Sequence, residues 1–327
     1  MATTALAYKF DRTGDANVLK FEEYELDTPA AGQVQIRQEA IGLNFIDIYH
    51  RTGAFPLPLP SGIGVEGAGV IEAVGEGVDG LRRGDRVVYV GGTPGGYATV
   101  RHIAAARVVR LPDGISTQTA ASLTFKGLTV EYLIRRCHIV KPGDVVLWQA
   151  AAGGVGSIAC QWLQHIGATV IGTVSSRQKA EIAKANGCAY PVVYTEEDFV
   201  ERVKEVTDGK GVSAAYDGIG GDTFYKSLDC LQPRGIMVSF GSASGGVPPL
   251  DIGQLGTRGS LFLTRPSIAH YTARKDELEA AAESLFSLIL DKNIRVVEPT
   301  VYHLKDAAQA QRDLESGKTT GSIVLVP

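Results

Sequence analysis

Residues 150–156 read Ala150-Ala151-Ala152-Gly153-Gly154-Val155-Gly156, between the apolar run VVLWQ and the stretch SIACQWLQHIGA. The spacing Ala151-x-Gly153-x-x-Gly156 matches a dinucleotide-binding turn whose first glycine has become alanine. Gly153 lets the backbone approach a pyrophosphate, and Gly156 lets a helix pack against its strand. A helix starting near Val155 offers free N–H groups and the positive end of its dipole, which makes Ala152, Gly153, Gly154 and Val155 candidate cofactor residues. Ala151 can fill the first position if its φ stays negative. A ligand-free tight turn can show the same glycines. The buried strand before, the helix after and the further βα units favour the nucleotide.

Outward from this turn, apolar runs alternate with helical stretches. TVIGTV precedes SRQKAEIAKANG, PVVY precedes EEDFVERVKEVT, and SAAYD, GIMVSF and SLFLT follow. That alternation predicts a doubly wound parallel sheet of the Rossmann kind over 125–266. Upstream lie short β-like runs (ALAYKF, QVQIRQEAI, GAGVIEAVG, DRVVYV, YATV) with Gly-rich turns, which predict a β-rich domain. The tail has a long helix near 274–292, another helix and the strand SIVLV, without βαβ rhythm, and is expected to return to the first domain. The expected α/β architecture is therefore a nucleotide domain, 125–266, inserted into a split domain, 1–124 and 267–327.

A length of 327 residues fits two domains, and 44% hydrophobic with 21% charged residues fits a soluble globular chain. The net charge of −4 gives no global attraction to nucleic acid or anionic membrane. No leader and no apolar run of spanning length is evident, so neither membrane nor nucleic acid is expected as a partner, and the location expected is cytoplasmic. Cys137, Cys160, Cys188 and Cys230 form no CxxC pair and read as reduced thiols.

Enzymes that use NAD place an acid about 20 positions after the turn, on the ribose hydroxyls. Here the stretch is Gly172-Thr173-Val174-Ser175-Ser176-Arg177-Gln178-Lys179, with no carboxylate. Hydroxyls and cations at a helix start would hold a 2′-phosphate, so NADP(H) is expected over NAD(H). The competing reading makes Arg177 and Lys179 ordinary solvated helix residues. Asp217-Gly218-Ile219-Gly220-Gly221 and Phe240-Gly241-Ser242 fall at strand ends, where glycines permit approach to ribose and nicotinamide or serve only as turn punctuation. Thr264-Arg265-Pro266 ends the last apolar run and reads as an inter-domain hinge and cofactor contact.

Together with AAAGGVG, three stretches carry a family resemblance: Asn44-Phe45-Ile46-Asp47-Ile48-Tyr49, Gly64-Val65-Glu66-Gly67-Ala68-Gly69, and SLDCLQPRGIMVSFG over 227–241. The chain resembles the medium-chain dehydrogenase/reductase superfamily, in its zinc-free NADPH:quinone oxidoreductase and zeta-crystallin branch. The resemblance covers nearly the whole chain. It implies a GroES-like catalytic domain, a Rossmann domain and a homo-oligomer, usually a dimer. The zinc-dependent members carry a cysteine in the first motif and a GHE motif; here Val65 precedes Glu66, and no cysteine occurs before Cys137. Gly91-Gly92-Thr93-Pro94-Gly95-Gly96 stands near the place of their structural zinc lobe. No metal is therefore expected.

Hydride addition to a simple ketone leaves an alkoxide that needs a Lewis acid or strong proton donor, whereas a quinone delocalises the charge and a conjugated enone yields an enolate. The expected reaction is hydride transfer from NADPH to a quinone. A 2-alkenal or enone double-bond reductase is the alternative, and an RNA-binding or structural protein an alternative of another class. The resemblance implies Asn44 and Tyr49 beside the nicotinamide, with Asp47 orienting either one and Tyr49 able to pass a proton. The plainer reading is Asn44 as a helix cap, Asp47 solvated and Tyr49 packed at a domain seam. The resemblance also implies Lys179, Tyr194, Ser175 and Ser176 around the 2′-phosphate and Thr129 on the nicotinamide side. Relatives use an arginine toward the phosphate near the end of the chain; in Glu315-Ser316-Gly317-Lys318 only Lys318 could replace it.

Overall fold

The computed structural model describes residues 3–327. In chain order the strands are β1 (Thr3–Phe10), β2 (Lys20–Leu26), β3 (Gln33–Leu43), β4 (Ser61–Gly62), β5 (Glu66–Val74), β6 (Arg86–Val90), β7 (Val100–Ala104), β8 (Val108–Arg110), β9 (Val145–Trp148), β10 (Thr169–Val174), β11 (Tyr190–Val193), β12 (Val212–Asp217), β13 (Leu231–Ser239), β14 (Phe262–Thr264), β15 (Thr300–His303) and β16 (Ile323–Val326). The helices are α1 (Phe45–Thr52), α2 (Thr117–Tyr132), α3 (Gly154–Ile166), α4 (Arg177–Ala185), α5 (Phe199–Val206), α6 (Phe224–Asp229), α7 (Gly253–Thr257), α8 (Ile268–Tyr271), α9 (Lys275–Leu290) and α10 (Ala307–Glu315). The chain divides into two compact units. One runs to Lys126 and resumes over Thr272–Leu290 and Val296–Pro327; the other is Gly127–Tyr271 with Asp291–Arg295.

In the first unit, among the described residues, one sheet has the order β2-β1-β4 and another the order β15-β16-β3-β5-β6-β8, with β7 also on β3. The tail joins this unit because β16 lies antiparallel to β3, Leu325 facing Ile41. Tyr8, Phe10, Ile41, Leu43, Ile63, Leu304, Ile323 and Leu325 form one shared core from both ends of the chain. β3 and β5 come very close: a Cβ on Gly69 would lie 2.0 Å from the Arg37 carbonyl oxygen, so glycine is required there.

In the second unit the strands run parallel in the order β11-β10-β9-β12-β13-β14. The order reverses direction between β9 and β12, which is the switch point of a doubly wound sheet. Leu147, Ile171, Val192, Ala215 and Met237 come from successive strands and meet Phe199, Phe224 and Leu228 from the helices. Burial on both faces explains why these strands read as continuous apolar runs. Residues 267–271 and Asp291–Arg295, placed with the split domain by sequence, group with this unit instead; the Arg295 N–H donates to Gln161 Oε1 at 2.8 Å, and its guanidinium reaches Asn186 Oδ1 at 3.0 Å.

The alanine in the dinucleotide turn has a specific accommodation. Ala151 is fully buried and keeps φ out of the positive region, while Ala150 beside it takes φ +57°. The Ala151 methyl lies over Gly172 of β10. A Cβ built there would sit 2.5 Å from Ala151 Cβ and 2.6 Å from Cys188 Sγ. Gly172→Ala is expected to destabilise the protein by about 1–3 kcal/mol through overpacking, seen as a lower thermal midpoint. Adding Ala151→Gly should recover part of the loss. A Gly172→Ala protein that melts with the wild type would contradict this packing.

Candidate functional site

The second unit builds its phosphate end from the turn upward. Gly153 is the N-cap of α3, and the first helical bond runs from the Ser157 N–H to the Gly153 carbonyl. The N–H groups of Gly154, Val155 and Gly156 therefore precede the ladder and have no acceptor among the described residues. This is the usual donor set for a pyrophosphate at a helix start. A Cβ on Gly156 would lie 2.4 Å from the Ala150 oxygen and 2.7 Å from the Ala151 oxygen, so its absence is what lets α3 sit down on the turn. Ala152 is buried.

At the end of β10, Ser175 and Ser176 are half-buried. Ser176 caps α4, its hydroxyl accepting from the Lys179 N–H at 3.3 Å. The Lys179 side chain is half-buried, and its ammonium has no partner among the described residues. Tyr194 is 52% exposed, and its N–H donates to the Val174 oxygen, which ties the exits of β10 and β11 together. Arg177 is solvated, 84% exposed, and its guanidinium forks onto Glu196 at 2.9–3.0 Å. The stretch 172–179 lacks a carboxylate, but the exit of β11 brings one to the same end of the sheet.

Asp217, fully buried at the end of β12, organises the next loop. Its Oδ1 accepts from the Ile219 and Gly220 N–H groups at 2.8 and 3.0 Å; its Oδ2 accepts from Thr223 and Ser227 hydroxyls at 2.7 and 3.0 Å. Gly218 and Gly241 touch back to back, since a Cβ on Gly241 would lie 2.3 Å from the Gly218 oxygen and one on Gly218 would meet the Phe240 ring at 2.9 Å. The two glycine loops are thus one packed surface. Arg265 clamps it: Nη1 donates to the Ser239 and Gly241 oxygens at 3.0 and 2.6 Å, and Nη2 to the Ser242 hydroxyl at 2.9 Å. Thr264 pairs with Val238 in the β13–β14 register. Thr129 is buried on α2. Arg265 also lines a cavity of about 330 Å³, with Phe224, Ser239, Ser242, Val247, Leu250 and Leu263.

In the first unit, α1 carries Asn44 as its N-cap, with Asp47 and Tyr49 beyond. Asn44 is a cap and more. Its Nδ2 donates to Glu66 Oε2 at 2.8 Å, and its side chain closes a capping box with Asp47 at the start of α1. Glu66 is fully buried, takes the Phe125 N–H on Oε1 at 2.6 Å, and lies against Gly42, where a Cβ would come within 2.1 Å of Oε2. Asp47 is not solvated; it is fully buried, accepting from the Asn44 N–H at 3.0 Å and the Tyr97 hydroxyl at 2.9 Å through Oδ2, while Oδ1 has no partner among the described residues. Beyond Tyr97 the contacts continue through Gln311 to Arg51, which donates to Glu315 at 2.7 Å. Glu315 is thereby engaged, and Lys318 near it is exposed. Tyr49 is half-buried, its ring 5.4 Å from Phe45 and 4.9 Å from Phe55.

Burial, opposed by the Asn44 and Tyr97 hydrogen bonds, pushes the Asp47 carboxyl up to about 7. Burial also raises Glu66 and lowers Lys126, whose buried ammonium favours both carboxylates in their charged forms and donates to the Ser122 oxygen at 3.3 Å. The sequence reading missed Glu66 and Lys126 as a pair. The signal for them was a charge set inside each of two apolar runs, GVEGAGV and LTFKGLTV. The folded state keeps the Asp47 proton to about pH 7, whereas the unfolded chain releases it near 3.8. The contribution of Asp47 to stability should therefore fall as pH rises between about 4 and 7. Asp47→Asn keeps an acceptor for Asn44 and Tyr97 and removes that contribution, so across that range its unfolding free energy should rise with pH relative to the wild type. An unchanged slope would contradict the assignment. Among the described residues no group of three His, Cys, Asp or Glu side chains is arranged to hold a metal.

Two family models match: the alcohol dehydrogenase GroES-like domain over residues 30–113 and the zinc-binding dehydrogenase domain over 154–287. The chain is 48% identical to a quinone oxidoreductase of Salmonella typhimurium, covering 99% of this chain and 100% of that one. It is 41% identical to a 2-haloacrylate reductase of a Burkholderia species, covering 98% and 99%. The crystal structure of Escherichia coli quinone oxidoreductase complexed with NADPH superposes with a TM-score of 0.96 at 47% identity, covering 99% of this chain and 100% of that one. With likeness over both units and the switch-point sheet in place, the chain belongs to the medium-chain dehydrogenase/reductase superfamily, in its quinone oxidoreductase branch.

Proposed function

We propose that this protein transfers a hydride from NADPH to a quinone. The observation that carries the choice of donor is half-buried Lys179, whose ammonium has no partner among the described residues, one helical turn after half-buried Ser175 and Ser176. A cation and hydroxyls at a helix start suit a 2′-phosphate dianion. Gly153, Gly154 and Val155 offer main-chain donors to the pyrophosphate, next to Ala152. Tyr194 flanks the adenosine phosphate; Gly218, Phe240, Gly241, Ser242, Thr264 and Thr129 face the nicotinamide half. Arg265 acts by holding the 239–242 loop in shape. Lys318 is a further cation for the phosphate.

NADPH, when bound, supplies the hydride. The chain's own residues position and solvate. Asn44, its amide held by Glu66, bonds a ribose hydroxyl or the acceptor's oxygen. Asp47 holds α1 in register and so positions Asn44 and Tyr49. The Tyr49 phenol donates toward the oxyanion that a reduced quinone develops, or passes it a proton. A quinone spreads that charge over its ring, so positioning carries much of the acceleration.

Steady-state NADPH oxidation with a small benzoquinone, against a 2-alkenal, tests the acceptor. Turnover with the quinone is expected. The 41% likeness to a 2-haloacrylate reductase favours a second reading, reduction of a conjugated double bond, and turnover with the alkenal alone would replace the first by it. For the donor, Lys179→Ala should weaken NADPH binding by roughly 10- to 150-fold, the loss of one charge-assisted contact, and leave NADH little changed. Equal losses would contradict the phosphate assignment.

We assign a homodimer built on β14. This strand ends the second unit's sheet, and Phe262 and Leu263 on it are 61% and 39% exposed. An apolar sheet edge of this kind needs cover, which a second copy supplies. Light scattering should give a dimer mass for the wild type and a monomer for Phe262→Glu; a monomeric wild type would contradict the assignment. No described helix is long and apolar enough to cross a membrane. We place the protein in the cytoplasm, where its four free thiols stay reduced.

A further inference from the structure

Arg177 and Glu196 meet at the carboxyl-terminal end of the second unit's sheet, the first opening α4 after β10 and the second following β11. Arg177 Nε donates to both carboxylate oxygens at 3.0 Å, and Nη2 donates to Oε2 at 2.9 Å. Both side chains reach solvent, 84% and 46% exposed. An exposed pair of this kind contributes about 0–1 kcal/mol, so exchanging one anion for another is easy. The guanidinium fork fits a phosphate as well as a carboxylate. One helical turn holds Ser176, whose hydroxyl caps α4, and Lys179, whose ammonium has no partner among the described residues. Arg177 is thus a cation already satisfied by an internal anion, next to a cation that is not.

We propose that Glu196 is a resident competitor for Arg177. In the free protein its carboxylate holds the guanidinium. When NADPH binds, the 2′-phosphate takes the place of that carboxylate and Arg177 joins Lys179 around it. NADH carries a hydroxyl at that position, which cannot replace a carboxylate on a guanidinium, so with NADH the pair stays closed. Glu196 therefore sets how strongly the site favours the phosphorylated coenzyme, lowering NADPH affinity and leaving NADH affinity alone. This rests on NADPH as the donor.

The test is a set of dissociation constants for NADPH and NADH, read from the fluorescence of the bound reduced nicotinamide. It uses the wild type, Glu196→Gln, Arg177→Ala and the double variant at low ionic strength. Glu196→Gln should tighten NADPH by about 2- to 5-fold, the worth of one exposed pair, and leave NADH unchanged. Arg177→Ala should weaken NADPH, and in its background Glu196→Gln should gain much less. An NADPH affinity unaltered by Glu196→Gln, or the same gain with and without Arg177, would overturn the proposal. The donor assignment fails separately: it falls if Lys179→Ala weakens NADPH and NADH alike, whatever Glu196 does.

Discussion

The close seat of the Ala151 methyl on Gly172 is the contact on which the second unit's chemistry depends. A dinucleotide turn must bring backbone donors to a pyrophosphate while its helix stays down on the sheet. Alanine in the first position adds a methyl where space is shortest. β10 answers with a glycine, and Ala150 takes the left-handed conformation that keeps Ala151 out of it. With that settled, α3 starts at Gly154 with three N–H groups ahead of its ladder. The exits of β10, β11, β12 and β13 then line up at one end of the sheet.

Charge is handled in opposite ways in the two units. In the first, Asp47, Glu66 and Lys126 are buried together, and the interior dielectric makes each charge state depend on the others. The product of that burial is orientation: Glu66 fixes the Asn44 amide, and Asp47 ties Asn44 to Tyr97. In the second unit the charges of Arg177, Glu196 and Lys179 lie at or near the surface, where pairs are weak and exchangeable. Rigid buried charge suits a group that must aim at a substrate. Loose surface charge suits a group that must let a coenzyme come and go.

Much of this was legible in the sequence because it follows from periodicity and glycine spacing. The AAAGGVG turn, the alternation after residue 125 and the acid-free stretch after β10 are local signals, and the architecture follows from them. The tail strand SIVLV was legible as a return to the first unit, while Asp291–Arg295 was not, because its placement depends on Arg295 reaching Gln161 and Asn186 across more than a hundred residues. The same limit hid the site's polar framework. Asp47 reads either as orienting its neighbours or as solvated, and the choice depends on Tyr97, which donates to it from another loop, 50 residues on. Glu196 lies 19 residues from Arg177, beyond the reach of any helix spacing rule. Asp217 reads as turn punctuation, yet four donors converge on it once the chain folds.

Phosphorus NMR of the 2′-phosphate of bound NADP⁺, followed against pH, is the most direct measurement of the central claim that this pocket holds a phosphate dianion by positive charge. A free phosphate monoester takes up its second proton near pH 6. The account predicts that on the protein this titration moves to clearly lower pH, because Lys179 and Arg177 favour the dianion. A bound 2′-phosphate that titrates as it does in free solution would contradict it.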